Sequence, residues 1–96
     1  MNFSFDPQAE KEFEQAVDYY NECQEDLGFE FASEVYKSID HILGFPEAWA
    51  QLSKNTRRCI TDRFPYGVIY LIEDDEIIII AIMQLQQGPN YWHNRL

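Results

Sequence analysis

The chain has 96 residues, 46% hydrophobic and 16% aromatic, with a formal net charge of -10. That is one domain, residues 1–96, with enough apolar content for a core and no apolar run near the ~20 residues of a membrane helix. The charge argues against non-specific nucleic-acid binding, which draws its affinity from clustered Lys and Arg.

The opening "MNFSFD" alternates, with Phe3 and Phe5 on one face, and predicts a short strand. The wider start, "MNFSFDPQAEKEFEQ", has neither the basic opening nor the apolar segment of a signal peptide, so a cytoplasmic location is expected. Asp6 followed by Pro7 is a helix start, an N-cap before a first-turn proline. From Pro7 to Leu27 the apolar residues Ala9, Phe13, Ala16, Val17, Tyr20, Cys23 and Leu27 recur at steps of three and four, and Gly28 is expected to stop the helix. A second helix, carrying Phe29, Ala32, Val35, Tyr36, Ile39, Ile42 and Leu43 on its core face, ends at Gly44 before Pro46. The two make an antiparallel hairpin.

"FPEAWAQLSKNT", Phe45 to Thr56, is a connection from which Trp49 and Leu52 tuck back onto the core. Strands are predicted over Arg57–Thr61, Tyr66–Glu73 and Glu76–Met83, the last two joined by a tight turn at Asp74-Asp75. The run Ile77 to Ile82 loses alternation, which marks a central strand apolar on both faces. One face is for the helices; the C-terminal segment or a partner covers the other. The order is β-α-α-β-β-β, an α+β fold of one helical hairpin on a three-stranded antiparallel sheet with an N-terminal strand.

Charge is uneven along this order. Residues 1–47 hold twelve acids against two lysines, while residues 48–96 hold five acids and five bases. Glu10, Glu14, Asp18, Glu22, Glu25 and Asp26 form an outward acidic stripe, a solvated face first and a partner surface second. Cys23 and Cys59 form no disulfide framework. With His41 and His93 they have no ligand-like spacing, so no metal and no cofactor is expected.

Two stretches are candidates for function. In the first, Arg57, Arg58 and Arg63 precede "FPY", whose tyrosine is Tyr66; Arg57 and Arg58 point to opposite faces of a strand. These arginines either line a binding surface or pair with glutamates of the helical hairpin. In the second, Gly88-Pro89 turns the chain after the last strand. Tyr91, Trp92, His93 and Arg95 follow, and Tyr91 and Trp92 either cap the core or join a site.

"RRCITDRFPYGVIY", a β-hairpin and "AIMQLQQGPNYWHNR", taken in order with "P.AEKEFEQAVDYY" and "FASEVYKSIDHILGFPEAW", resemble the RelE/ParE superfamily of bacterial type II toxins, also called plasmid stabilisation proteins. The resemblance spans nearly the whole chain. It implies a small α+β toxin held inactive by a cognate antitoxin. Members either cleave mRNA on the ribosome or, in the ParE branch, poison DNA gyrase. Relatives of this kind typically end the last strand with "AVAHHRRRPGYW", where this chain has "AIMQLQQGPNYW" from Ala81 to Trp92. Gln84 and Leu85 replace histidines; Gln86, Gln87 and Gly88 replace arginines.

Glutamine carries no charge and exchanges no proton at neutral pH, though it donates and accepts hydrogen bonds. RNA cleavage needs a base, an acid and positive charge at the developing oxyanion. A ribosome-dependent endoribonuclease would have to draw these from Arg58, Arg63, Tyr91 and His93. The leading expectation is therefore a ParE-like toxin, attenuated or not, that meets a protein target through Arg57, Arg58, Arg63, Tyr66, Tyr91, Trp92 and Arg95. A non-toxic, antitoxin-binding remnant is the third reading. An antitoxin segment lying on the acidic hairpin should be rich in Lys and Arg.

Overall fold

The computed structural model describes residues 1–87 and 91–96. The turn expected at Gly88-Pro89 lies outside the described residues. The chain runs β1 (Asn2–Phe5), α1 (Pro7–Cys23), α2 (Leu27–Gly44), β2 (Ala50–Gln51), β3 (Thr56–Ile60), β4 (Tyr66–Glu73), β5 (Glu76–Gln84) and a short 3-10 turn, His93–Arg95. The strands form one five-stranded sheet in the order β1-β5-β4-β3-β2. β1 lies parallel to β5 and the other pairs are antiparallel. The α+β class stands; β2 adds a strand to the expected set, too short for alternation to reveal.

α1 begins as its sequence dictates. The Asp6 carboxylate accepts the Gln8 N–H at 2.9 Å, and Pro7 fills a position that needs no donor. Its end differs from the expectation. The helix stops at Cys23, and the chain reverses through Asp26 at φ 65°. Gly28 lies inside the first turn of α2, and its role is closeness. A Cβ there would stand 2.1 Å from the Val17 carbonyl oxygen, and its N–H donates to Asn21 Oδ1 at 2.7 Å. The glycine lets the two backbones touch where the hairpin closes.

α2 buries Phe31, Val35, Ser38, Ile39 and Ile42. Phe29 and Tyr36, assigned above to its core face, are instead 63% and 49% exposed. They continue the α2 surface that faces away from the sheet, so the apolar stripe is wider than the core it meets. In the connection Trp49 packs against the core as expected, whereas Leu52 is 39% exposed.

The sheet carries two cores. Phe13, Phe31, Val35, Ile39, Val68, Tyr70, Ile77 and Ile79 fill the helix side. Ile69, Ile80, Ala81, Met83 and Trp92 fill the other, with Leu71, Ile78 and Tyr91 packed against them. The C-terminal segment thus covers the face the helices leave open, one of the two expected covers. β5 serves both sides through a bulge: Ile69 pairs with Ala81 and Tyr70 with Ile79, so Ile80 has no partner opposite. Ile80 and Ala81 consequently both face the second core. No helix among the described residues is long and apolar enough to cross a membrane.

Candidate functional site

β3 sorts the paired arginines by strand alternation. Cys59 lies in the helix-side core, and Arg57 shares its face. Arg57 Nη1 donates to the carbonyls of Glu47 at 3.0 Å and Trp49 at 2.9 Å, which holds the connection onto the sheet. Arg58 and Ile60 point the other way. The stem of Arg58 lies across Gly67 of β4, where an added Cβ would stand 3.0 Å from its Cγ and Cδ and 3.6 Å from Leu85 Cδ2. Gly67 leaves open the space that the Arg58 stem and Leu85 both border. Ile60, two positions along on the same face, is 49% exposed and Leu85 is 37% exposed, so two open aliphatic side chains share the face of Arg58. Arg58 makes no hydrogen bond or ion pair with any described residue, and its Nε is buried without an acceptor.

Arg63 is elsewhere. Its guanidinium meets Glu30 at 2.8 Å and Glu34 at 3.3 Å at the start of α2, and its backbone N–H donates to Glu34 at 2.8 Å. This is the pairing with the hairpin that the sequence left open. The Glu30 carboxylate raises the pKa of the guanidinium further. Tyr66 also belongs to the helix side, its ring 4.8 Å from Phe31 and 6.1 Å from Tyr20. Burial pushes its phenol up to about 12.

Trp92 is 2% exposed and seals the second core, with its ring stacked 4.7 Å from His93. Tyr91 lies under Arg95, whose guanidinium carbon is 5.1 Å from the ring centroid. Burial, and next the neighbouring Glu12 carboxylate, push the Tyr91 phenol well above its ordinary value. Arg95 itself donates to Glu12 and to the Ile80 carbonyl.

That contact depends on where β1 ends. β1 pairs with β5 only as far as Ile79, so the later β5 backbone has no strand neighbour on that side. Side chains take the strand's place. Arg95 donates to Ile80 C=O at 2.9 Å, Glu12 accepts Ile82 N–H at 3.1 Å, and Gln87 Oε1 accepts Gln84 N–H at 3.3 Å. These side chains occupy the edge along which another strand would otherwise pair.

Beside it lies a cleft of about 290 Å³ whose walls include Gln15, Tyr19, Tyr66, Gln84 and Gln87. Its amides and phenols recognise hydrogen-bonding groups but move no proton near neutrality. Its one carboxylate, Glu12, is held by Arg95.

Among the expected residues, then, Arg58, Tyr91 and Trp92 share the face away from the helices, while Arg57, Arg63 and Tyr66 lie on the helix side. Arg95 bridges the second core to α1. Of the proton-transfer candidates Arg58, Arg63, Tyr91 and His93, Arg63 is held apart from the others by Glu30 and Glu34 on the helix side, and His93 stacks on Trp92. Among the described residues no group of His, Cys, Asp and Glu could hold a metal ion.

The sequence reading missed Ile60, Gly67, Leu85 and Glu12. Glu12 had a signal. Two positions from Glu10 and Glu14, it falls about 200° from the outward stripe and so points inward.

Comparison with known proteins bears on the whole frame. Among curated proteins, none matches the sequence. A solved chain of the "Chromosomal ParDE TA system from P. aeruginosa" is similar in fold, with a TM-score of 0.78 at 13% identity over 90% of this chain and 97% of that one. A family model described as "ParE toxin of type II toxin-antitoxin system, parDE" matches residues 3–87. The helical hairpin and all of the sheet but Asn2 lie within that match, and the chain belongs to the ParE toxin family of type II toxin–antitoxin systems.

Proposed function

We propose that this chain is a toxin that arrests growth by binding a protein, with DNA gyrase the target its family suggests, and that a cognate antitoxin neutralises it. One observation carries this reading. Three of the four arginines are engaged by other described residues, and the fourth, Arg58, pairs with none of them and shares its face with exposed Ile60 and Leu85. An arginine flanked by aliphatic side chains is the composition of a protein-contact centre, where Arg anchors and apolar neighbours exclude water.

The geometry favours contact over cleavage. Strand scission through a 2′-hydroxyl needs a base, an acid and a cation within reach of one phosphate. Arg63 is bound to Glu30 and Glu34 on the opposite side of the sheet, and Arg95 to Glu12. The buried Tyr91 phenol holds its proton far above neutral pH.

Expression of the chain without a partner protein tests the reading. Growth should stop, and Arg58→Ala should restore it at an equal level of folded protein, while Arg63→Ala should not. Normal growth of cells holding much folded wild-type protein would instead identify a non-toxic binding module.

A further inference from the structure

A second cavity opens between α2 and β3, on the helix side of the sheet, with a volume of about 190 Å³. Glu34, Lys37, Ser38 and His41, spaced three and four apart, form one stripe of α2, and all four border it. A helix stripe turned toward a sheet is ordinarily apolar, and this one is not. Trp49 and Cys59 line the opposite wall. At one end Lys37 crosses to Asp62 at 3.4 Å. At the other His41 stacks on Trp49, with 6.2 Å between ring centroids and 23° between planes. Between these crossings Ser38 and Cys59 are 6% and 2% exposed and make the floor. Burial raises the Cys59 thiol above its ordinary value, so the floor is uncharged at neutral pH.

The chemistry of the walls selects the occupant. Charges at the rim are matched, Lys37 with Asp62 and Glu34 with Arg63 at 3.3 Å. An anion there would meet Glu34 and Asp62, and a cation would meet Lys37 and Arg63, so a neutral molecule is favoured. One group on the wall lacks a partner: Trp49 Nε1 is buried with no acceptor among the described residues. A buried donor left unpaired is costly, and a carbonyl oxygen brought by a ligand would satisfy it. The indole and imidazole give flat surface for a ring. A cavity of about 150 Å³ holds a benzene, so the volume here suits one ring with one small polar substituent. We infer that the space between α2 and β3 binds a small, neutral, planar molecule, its ring against Trp49 and His41 and an acceptor oxygen on the Trp49 indole N–H. The inference does not rest on the toxin reading.

Three probes that share one ring test it: benzamide, which is neutral and carries a carbonyl, toluene, which has no acceptor, and benzoate, which is charged. Each is titrated into the intact protein while the two indole N–H resonances are followed by NMR, with Trp49→Phe assigning them. Benzamide should move the Trp49 resonance saturably, with a dissociation constant of about 1 mM or lower, and leave that of Trp92 in place. Toluene and benzoate should bind about tenfold more weakly or worse. Ser38→Leu, which fills the floor, should abolish benzamide binding. His41→Ala, at an exposed position, should weaken it about threefold or more and leave the fold unchanged by circular dichroism. Phe45→Ser, at an exposed aromatic outside the cavity, should change nothing.

A Trp49 resonance that does not respond to benzamide, or a response that never saturates, would overturn the inference. So would equal binding of toluene or benzoate, or benzamide binding indifferent to His41→Ala. That last variant decides the matter even where Ser38→Leu fails to fold.

Discussion

Glu12 and Arg95 meet across 83 positions of sequence, Nη1 at 2.9 Å from Oε1 and Nη2 at 3.1 Å from Oε2. The pair is a two-pronged contact with the Arg95 and Glu12 side chains 10% and 21% exposed, and each partner also holds a β5 backbone group. It therefore ties three things together: α1, the uncovered edge of β5, and the terminal turn that carries Trp92. Removing one partner strands the other's charge and frees a buried backbone group. Arg95→Ala and Glu12→Gln should each lower stability by about 2–4 kcal/mol in denaturant unfolding. Trp92 emission should shift to the red as the turn loosens. An unchanged unfolding midpoint in both variants would show that the contact is dispensable.

Gly28 should tolerate no side chain. The Val17 carbonyl lies 2.1 Å from where a Cβ would go, and it is backbone, so the helices must separate to admit a methyl. Gly28→Ala should cost more than about 2 kcal/mol, although alanine is the better helix former. Asn21→Ala should cost about 1 kcal/mol by removing the acceptor of the Gly28 N–H. A stabilised Gly28→Ala protein would refute this account of the hairpin.

Arg58 and Trp92 share a face but should separate stability from activity. Trp92 is 2% exposed in a packed core, and Trp92→Ala should cost about 3–5 kcal/mol. Arg58 has no intramolecular partner among the described residues, so Arg58→Ala should change stability by no more than about 0.5 kcal/mol while abolishing growth arrest. Thermal melting beside a growth assay checks both. A destabilised, still toxic Arg58→Ala protein would reverse the assignment.

Alkali should unfold the protein through its buried tyrosines. Burial pushes the Tyr66 and Tyr70 phenols from their ordinary 10 up to about 12, and raises Tyr91 as well. Above pH 10 the unfolded chain releases these protons while the folded chain keeps them, so ionisation favours unfolding. The stabilising contribution is complete below pH 10 and is lost as pH rises through about 12. Denaturant unfolding across that window should show a steady fall, reduced in Tyr66→Phe. A flat profile would mean that these phenols ionise as freely in the folded chain.

Much of this architecture is legible in the residues. Alternation locates β1, strand-like runs rich in β-branched and aromatic residues locate β4 and β5, and Asp74-Asp75 marks the last hairpin, with Asp74 at φ 55°. The α1 start follows from Asp6-Pro7. What stays hidden has physical reasons. A glycine between two helical patterns resembles a stop, and only the helix packing shows that Gly28 is a point of contact. The bulge at Ile80 is invisible inside a run of isoleucines, because shifting the face of one isoleucine changes no residue type. Strand period places Arg57 and Arg58 on opposite faces but cannot say which face meets the helices. The Glu12–Arg95 pair joins distant segments that no local pattern relates, and only the folded sheet shows that Arg58 and Leu85 border the same space over Gly67.

The most direct test uses purified gyrase. DNA supercoiling is measured with the wild-type chain and with Arg58→Ala, and a translating extract treated with the same protein is examined for cut messenger RNA. A protein-binding toxin should inhibit supercoiling, lose that effect with Arg58→Ala, and leave the messenger intact. Undisturbed supercoiling together with efficient cutting of the messenger would contradict the account.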